Sequence, residues 1–223
     1  MKHNILSLAV FASLMAFEVS AAPITGLYNT GAGSNAGEID LNYSLSYTGG
    51  ETIIGSHGYE GAEGWPVNPG PWIDNSLTSQ WITPAALART SYDSVAEGNG
   101  TYTWGLEFDL TGYDANSAFF DGRWAADNLG EITLNGDTLS NSNTNSFTHW
   151  SSFSSLGGNF IAGLNVLEFT VTNYAQNTGN PTGLRVEFLH SNADVASVPE
   201  PSSLSLLALG LAAFGFSRKK SKA

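Results

Sequence analysis

Tyr59, Glu60, Glu63, Trp65, Asn68, Trp72 and Asp74 fall within sixteen residues of one another. Together they supply the two kinds of group that carbohydrate recognition uses: aromatic faces on which the apolar C–H side of a sugar stacks, and carboxylates and amides that bond its hydroxyls. The surrounding stretch GYEGAEGWPVNPGPWIDNSLTSQW, residues 58–81, is too rich in Gly, Pro and Asn to run as a regular strand. A tryptophan on such a loop either plugs the end of the fold or shows its face to solvent. Composition leaves both roles open for Trp65, Trp72 and Trp81.

A second set, Asp121, Asp127, Asn128 and Glu131, occupies eleven residues of a turn-rich segment. Hard oxygen ligands on a loop suit Ca2+, so a structural calcium ion is the one cofactor these residues suggest. The competing role for Asp127 and Asn128 is to shape the turn ahead of Gly130. Other constellations carry less. His57, His149 and His190 lie in separate segments, without the close spacing of a helical zinc site. Gly55-Ser56-His57-Gly58 lacks the strand-to-helix context of a nucleophile elbow. Glu60 and Glu63 as a carboxylate pair say little about glycoside hydrolysis in so acidic a chain. With no cysteine, thiol catalysis, thiolate metal sites and disulfides are excluded. The expectation is a protein that is not an enzyme.

The elements that must position these residues read as strands. Ile39, Leu41, Tyr43, Leu45 and Tyr47 alternate with polar residues, as do Tyr102, Trp104, Leu106, Phe108 and Leu110, and period-two alternation buries one face of a strand. Glu131–Leu134, Val166–Val171 and Leu184–Phe188 continue the series, with Leu167, Phe169, Val171, Leu184, Val186 and Phe188 as inward candidates. Asn135-Gly136 is a type I′ hairpin signal. No long amphipathic helix appears, though Pro84–Leu87 allows one short turn. Trp104 and Trp124, in strand-like segments, are expected in the core. Short strands at regular intervals point to an all-β sandwich.

Several segments carry a resemblance across this body: SQWITP (79–84), GTYTWGLEFDLTGYD (100–114), GRWAADNLGEITLNG (122–136), FTHWSSF (147–153), GLNVLEFTVTN (163–173) and NPTGLRVEF (180–188). They resemble the galactose-binding-like jelly rolls of secreted bacterial proteins. The resemblance implies a jelly-roll β-sandwich, and similar modules serve as carbohydrate-binding or accessory domains. It speaks to the fold more than to a ligand.

The two ends of the chain are addresses. Met1-Lys2-His3, an apolar run from Ile5 to Phe17 and small residues up to Ala21 form a signal peptide, 1–21, with cleavage expected after Ala21. The body, 22–197, then carries only Arg89, Arg123 and Arg185 as cations. Of the twenty acids, Glu18 and Glu200 lie outside it, so its net charge is near −15. That balance excludes nucleic acid as a partner and leaves neutral glycans, cations and other proteins.

At the other end, residues 202–217 are sixteen uncharged, mostly apolar residues, about 24 Å as a helix, which makes a short transmembrane helix. Arg218, Lys219, Lys220 and Lys222 follow as a stop-transfer cluster held on the cytoplasmic side. Val198-Pro199-Glu200-Pro201 precedes the run, and its two prolines keep it extended and accessible. This order, residues 198–223, resembles the PEP-CTERM sorting signal of Gram-negative bacteria. The resemblance implies processing by an exosortase, a transient inner-membrane anchor, and delivery to the cell surface or an extracellular polysaccharide matrix. The resulting expectation is an exported protein that binds glycan or matrix components. A structural or adhesion component without a specific ligand is the alternative, and an enzyme acting on matrix carbohydrate comes last.

Overall fold

The computed structural model describes residues 20–33, 35–49, 56–60, 64–89, 93–141 and 146–197. Eleven strands run in chain order: β1 (Ala21–Ala22), β2 (Ile39–Thr48), β3 (His57–Glu60), β4 (Ile82–Thr83), β5 (Gly100–Asp109), β6 (Phe119–Asp127), β7 (Leu129–Leu134), β8 (Asp137–Asn141), β9 (Ser151–Ser154), β10 (Leu164–Asn173) and β11 (Gly183–Asp194). Two short 3-10 turns, Ala115–Ser117 and Ser146–Thr148, are the helical pieces among the described residues. Pro84–Leu87 runs as a bend rather than a helical turn.

The chain is all-β, as its composition and alternation imply. The strands form one strongly curved sheet in the order β8-β7-β10-β5-β2-β3-β4-β11-β6-β9, with β1 pairing β11 off this path. The short strands β3 and β4 are the hinge. On one side lies the arm β8-β7-β10-β5-β2, and on the other the arm β11-β6-β9. Their inner faces meet in an aromatic core. The Trp124 ring lies 6.2 Å from that of Phe169, and Phe108 lies edge-on to Phe120 at 6.0 Å.

Alternation places this core with few exceptions. Tyr102, Trp104, Leu106, Phe108 and Leu110 on and just after β5 are buried, as are Leu167, Phe169 and Val171 on β10 and Leu184 and Val186 on β11. Phe188 is partly buried against the same cluster. Asn135 and Gly136 take φ values of 51° and 89°, the left-handed conformations of a type I′ turn between β7 and β8.

The exception is the start of β2. Ile39 and Leu41 are exposed and Asp40 is buried, the reverse of the expected pattern. The pairing of β2 with β3 is irregular between Ile39 and Ser44. Asp40 turns inward because it holds the N-terminal loop, accepting from the backbone N–H of Gly31 at 2.8 Å and of Asn42 at 2.9 Å. A buried carboxylate with two backbone donors is satisfied, and it sets the local phase of the strand against hydrophobicity.

The most consequential local feature is the step from β6 to β7. A single residue, Asn128, separates them, yet β6 belongs to one arm and β7 to the other. The segment is a corner at which the chain changes arms, where a simple turn is expected from sequence. Ser146 Oγ donates to the Ala126 carbonyl at 2.8 Å, and Thr182 Oγ1 to the Asp127 carbonyl at 2.6 Å, which pins it. Gly130 follows because a Cβ there would lie 2.5 Å from the Trp124 ring.

Candidate functional site

Register determines which loops meet. Asp127 at the end of β6 is opposite Gly183 at the start of β11, and Asn173 at the end of β10 is opposite Gly100 at the start of β5. The 64–81 loop, the Asp127–Asn128 corner, the Ser146–Trp150 segment and the 174–182 loop therefore gather at one end of the molecule.

The 64–81 loop is tied down by polar contacts that its composition does not reveal. Arg185 is buried, and burial pulls its pKa down to about 10. Its Nε donates to Ser79 Oγ at 2.7 Å, Nη2 to Ser76 Oγ at 2.9 Å, and Nη1 to the Asp74 carbonyl. Arg185 and Arg123 also lie over the Trp150 ring, at 4.7 and 4.5 Å from its centroid. Two of the three arginines of the body thus serve the architecture of this end. Trp81 completes the anchorage, its Nε1 donating to the Ile73 carbonyl at 2.8 Å.

The three loop tryptophans divide between the two roles that sequence leaves open. Trp81 and Trp72 are buried and pack against each other with centroids 4.2 Å apart and planes tilted by 34°. Trp72 packs over Gly183, where a Cβ would lie 2.8 Å from its ring. Its indole face is therefore not available as the platform expected of it. Trp65 is 42% exposed and lies against the Gly179 backbone. The remaining members of the expected set scatter. Glu60 is fully buried on β3, beside the half-buried Tyr59, while Asn68 and Asp74 are exposed. Glu63 lies outside the described residues.

Between Trp65, Pro66 and Pro71 on one side and Gln176, Asn180 and Pro181 on the other is a cleft of about 140 Å3. Trp72, Phe147 and the Asp127–Asn128 corner also line it. Asp127 is 94% buried, with Oδ2 accepting from Trp72 Nε1 at 2.7 Å and Oδ1 without a hydrogen-bond partner. Burial pushes its carboxyl up to about 7, although the Trp72 hydrogen bond acts in the opposite direction. A larger, shallower hollow of about 470 Å3 lies where β8 approaches β9, over Asp121, Leu139 and Phe153, and it offers no exposed aromatic face.

The expected calcium ligands do not converge. Asp121 and Asp127 are six residues apart on one strand, about 20 Å. Asp121 Oδ1 pairs with His190 Nδ1 at 2.9 Å, Glu131 accepts from Thr138 at 2.7 Å, and Asn128 Oδ1 accepts from the Tyr174 N–H at 2.7 Å. Among the described residues no three His, Asp or Glu side chains are grouped to hold a metal ion. Asn128 thus shapes the corner, and Asp127 belongs to the cleft. Sequence reading misses Phe147, Gln176 and Asn180 as cleft residues, since nothing in their spacing links loops a hundred residues apart.

The expected sorting residues Val198, Pro199, Glu200 and Pro201, the apolar run 202–217 and the basic cluster Arg218, Lys219, Lys220 and Lys222 lie outside the described residues. No helix among the described residues is long and apolar enough to cross a membrane. Residues 197–219 match the PEP-CTERM protein-sorting motif. This motif indicates an exported protein, an exosortase as processing partner, and a membrane-anchored precursor. No curated protein and no solved structure matches the chain.

Proposed function

We propose that this PEP-CTERM protein delivers a non-catalytic, glycan-binding jelly-roll body to the cell surface or the extracellular polysaccharide matrix. The observation that carries this reading is the placement of the Trp65 cleft relative to the sorting tail. Ala22 pairs with Ala193 and Ala21 with Asp194 at the far end of β11, so the two ends of the body lie side by side. The cleft sits beside Gly183, eleven residues away along the same strand, about 35 Å. A body tethered through residue 197 presents this cleft away from its anchor.

The chemistry of the cleft supports the same reading. One exposed indole beside amide and carboxyl groups is the combination that stacks on a sugar ring and bonds its hydroxyls. A ligand-free structural role is the second reading, favoured by the burial of Trp72 and Trp81. A glycan array probed with residues 22–197 and with its Trp65→Ala variant distinguishes the two. Discrete hits that disappear in the variant, with an unchanged melting temperature, support glycan binding. A silent array, or a variant that binds like the parent, leaves the structural role.

A further inference from the structure

The Asp127 carboxylate differs from the other well-buried acids whose contacts are fully described. Asp40 receives two backbone N–H donors, and Glu187 is engaged by Ser79 at 2.8 Å and by Arg123. Asp127 has one donor, on Oδ2, and its buried Oδ1 has none. Among the described residues lining the cleft, Asp127 is the only one that bears a charge. A carboxylate held in this way is costly, and a neutral hydroxyl entering the cleft would bond the oxygen while leaving the charge uncompensated. An ammonium group corrects both defects. It also gains from the exposed Trp65 face at the cleft wall, since an indole attracts a cation over its ring. The net charge near −15 of the body favours the approach of a cation at low salt.

We infer that the cleft recognises the free amine of a deacetylated hexosamine unit, with Trp65 stacking on the sugar ring and Asp127 as the counter-ion of the ammonium group. The inference rests on the glycan-binding reading above and specifies its ligand. At about 140 Å3 the cleft is small, so it takes one sugar unit or part of one, and the rest of a chain would run past Trp65 into solvent. N-acetylation removes the charge and adds bulk at the position that must reach Asp127, so acetylated units are disfavoured on both counts.

Calorimetry on the exported protein tests this with three β1,4-linked trimers, of glucosamine, of N-acetylglucosamine and of glucose, near neutral pH and at low salt. The glucosamine trimer should bind at least about ten-fold more tightly than the other two, and the preference should shrink in high salt. Asp127→Asn keeps an acceptor for Trp72 Nε1 and should erase the preference, so that the glucosamine trimer binds no more tightly than the glucose trimer. If all three trimers bind equally, the ammonium inference fails and the glycan reading stands. If a folded protein binds none of them, both fail. A preference that survives in Asp127→Asn also overturns the assignment. Should that variant not fold, the ranking of the trimers by the parent protein and its salt dependence decide the matter.

Discussion

The aromatic core between the two arms and the loop end around Trp65 are built from the same residue types by different rules. In the core, each aromatic sits on a strand whose neighbours alternate with it, so burial is a property of position along the strand. Trp104 and Trp124 are buried there even though neither indole N–H has a hydrogen-bond partner, because removing a ring of that size from water outweighs one bare donor. At the loop end no alternation exists. Trp65 and Trp72, seven residues apart in one Gly/Pro-rich loop, have opposite fates, 42% and 3% exposed. What separates them is the partner that each meets: the Asp127 carboxylate, the Trp81 ring and the gap at Gly183 for Trp72, and the thin Gly179 backbone for Trp65. Pattern decides burial where backbone pairing is regular, and individual partners decide it elsewhere.

That contrast is open to measurement. The largest effect should come from Trp104→Ala, a core truncation expected to cost about 3–5 kcal/mol in urea denaturation of residues 22–197. Trp72→Ala belongs in the same range if the loop end is a true second core. A loss below about 1 kcal/mol for Trp72→Ala would place this indole outside the packed interior.

Next is the pH response of Asp127. Its folded pKa, about 7, exceeds the ordinary value of 3.8, so between these values the native state binds its proton more tightly than the unfolded chain. The direction follows: stability contributed by this group is full below about pH 4 and falls as pH rises toward 7 and beyond, by on the order of 2–4 kcal/mol. Asp127→Asn should lack that slope, so the difference between the two stability profiles should carry it. Superimposable profiles would show that Asp127 titrates normally.

Gly130→Ala probes the corner between the arms. A methyl group 2.5 Å from the Trp124 ring overpacks the core and should cost about 1–3 kcal/mol. An unchanged denaturation midpoint would mean that the ring gives way freely. The smallest stability effect should be that of Trp65→Ala, within about 0.5 kcal/mol, because much of its indole faces solvent. A melting temperature lowered by several degrees would instead make Trp65 part of the plug and close the contrast with Trp72.

What the sequence determined alone is whatever depends on short range. The alternating apolar residues of β5, β10 and β11, the Asn135-Gly136 turn, the all-β class and the C-terminal sorting motif follow from residues within a few positions of one another, since a strand's faces repeat every two residues and a sorting motif is a contiguous string. Tertiary structure alone decided what depends on long-range pairing. It placed Asn128 at a corner between arms and turned Asp40 inward against the phase of β2. It separated Asp121 from Asp127 by about 20 Å along one strand, and brought Asp127 to Trp72 and Gln176 from distant loops. A loop without alternation carries no record of which face will be covered. Its side chains are buried or exposed by the surfaces that strand register happens to bring to them, and register is a property of the whole sheet.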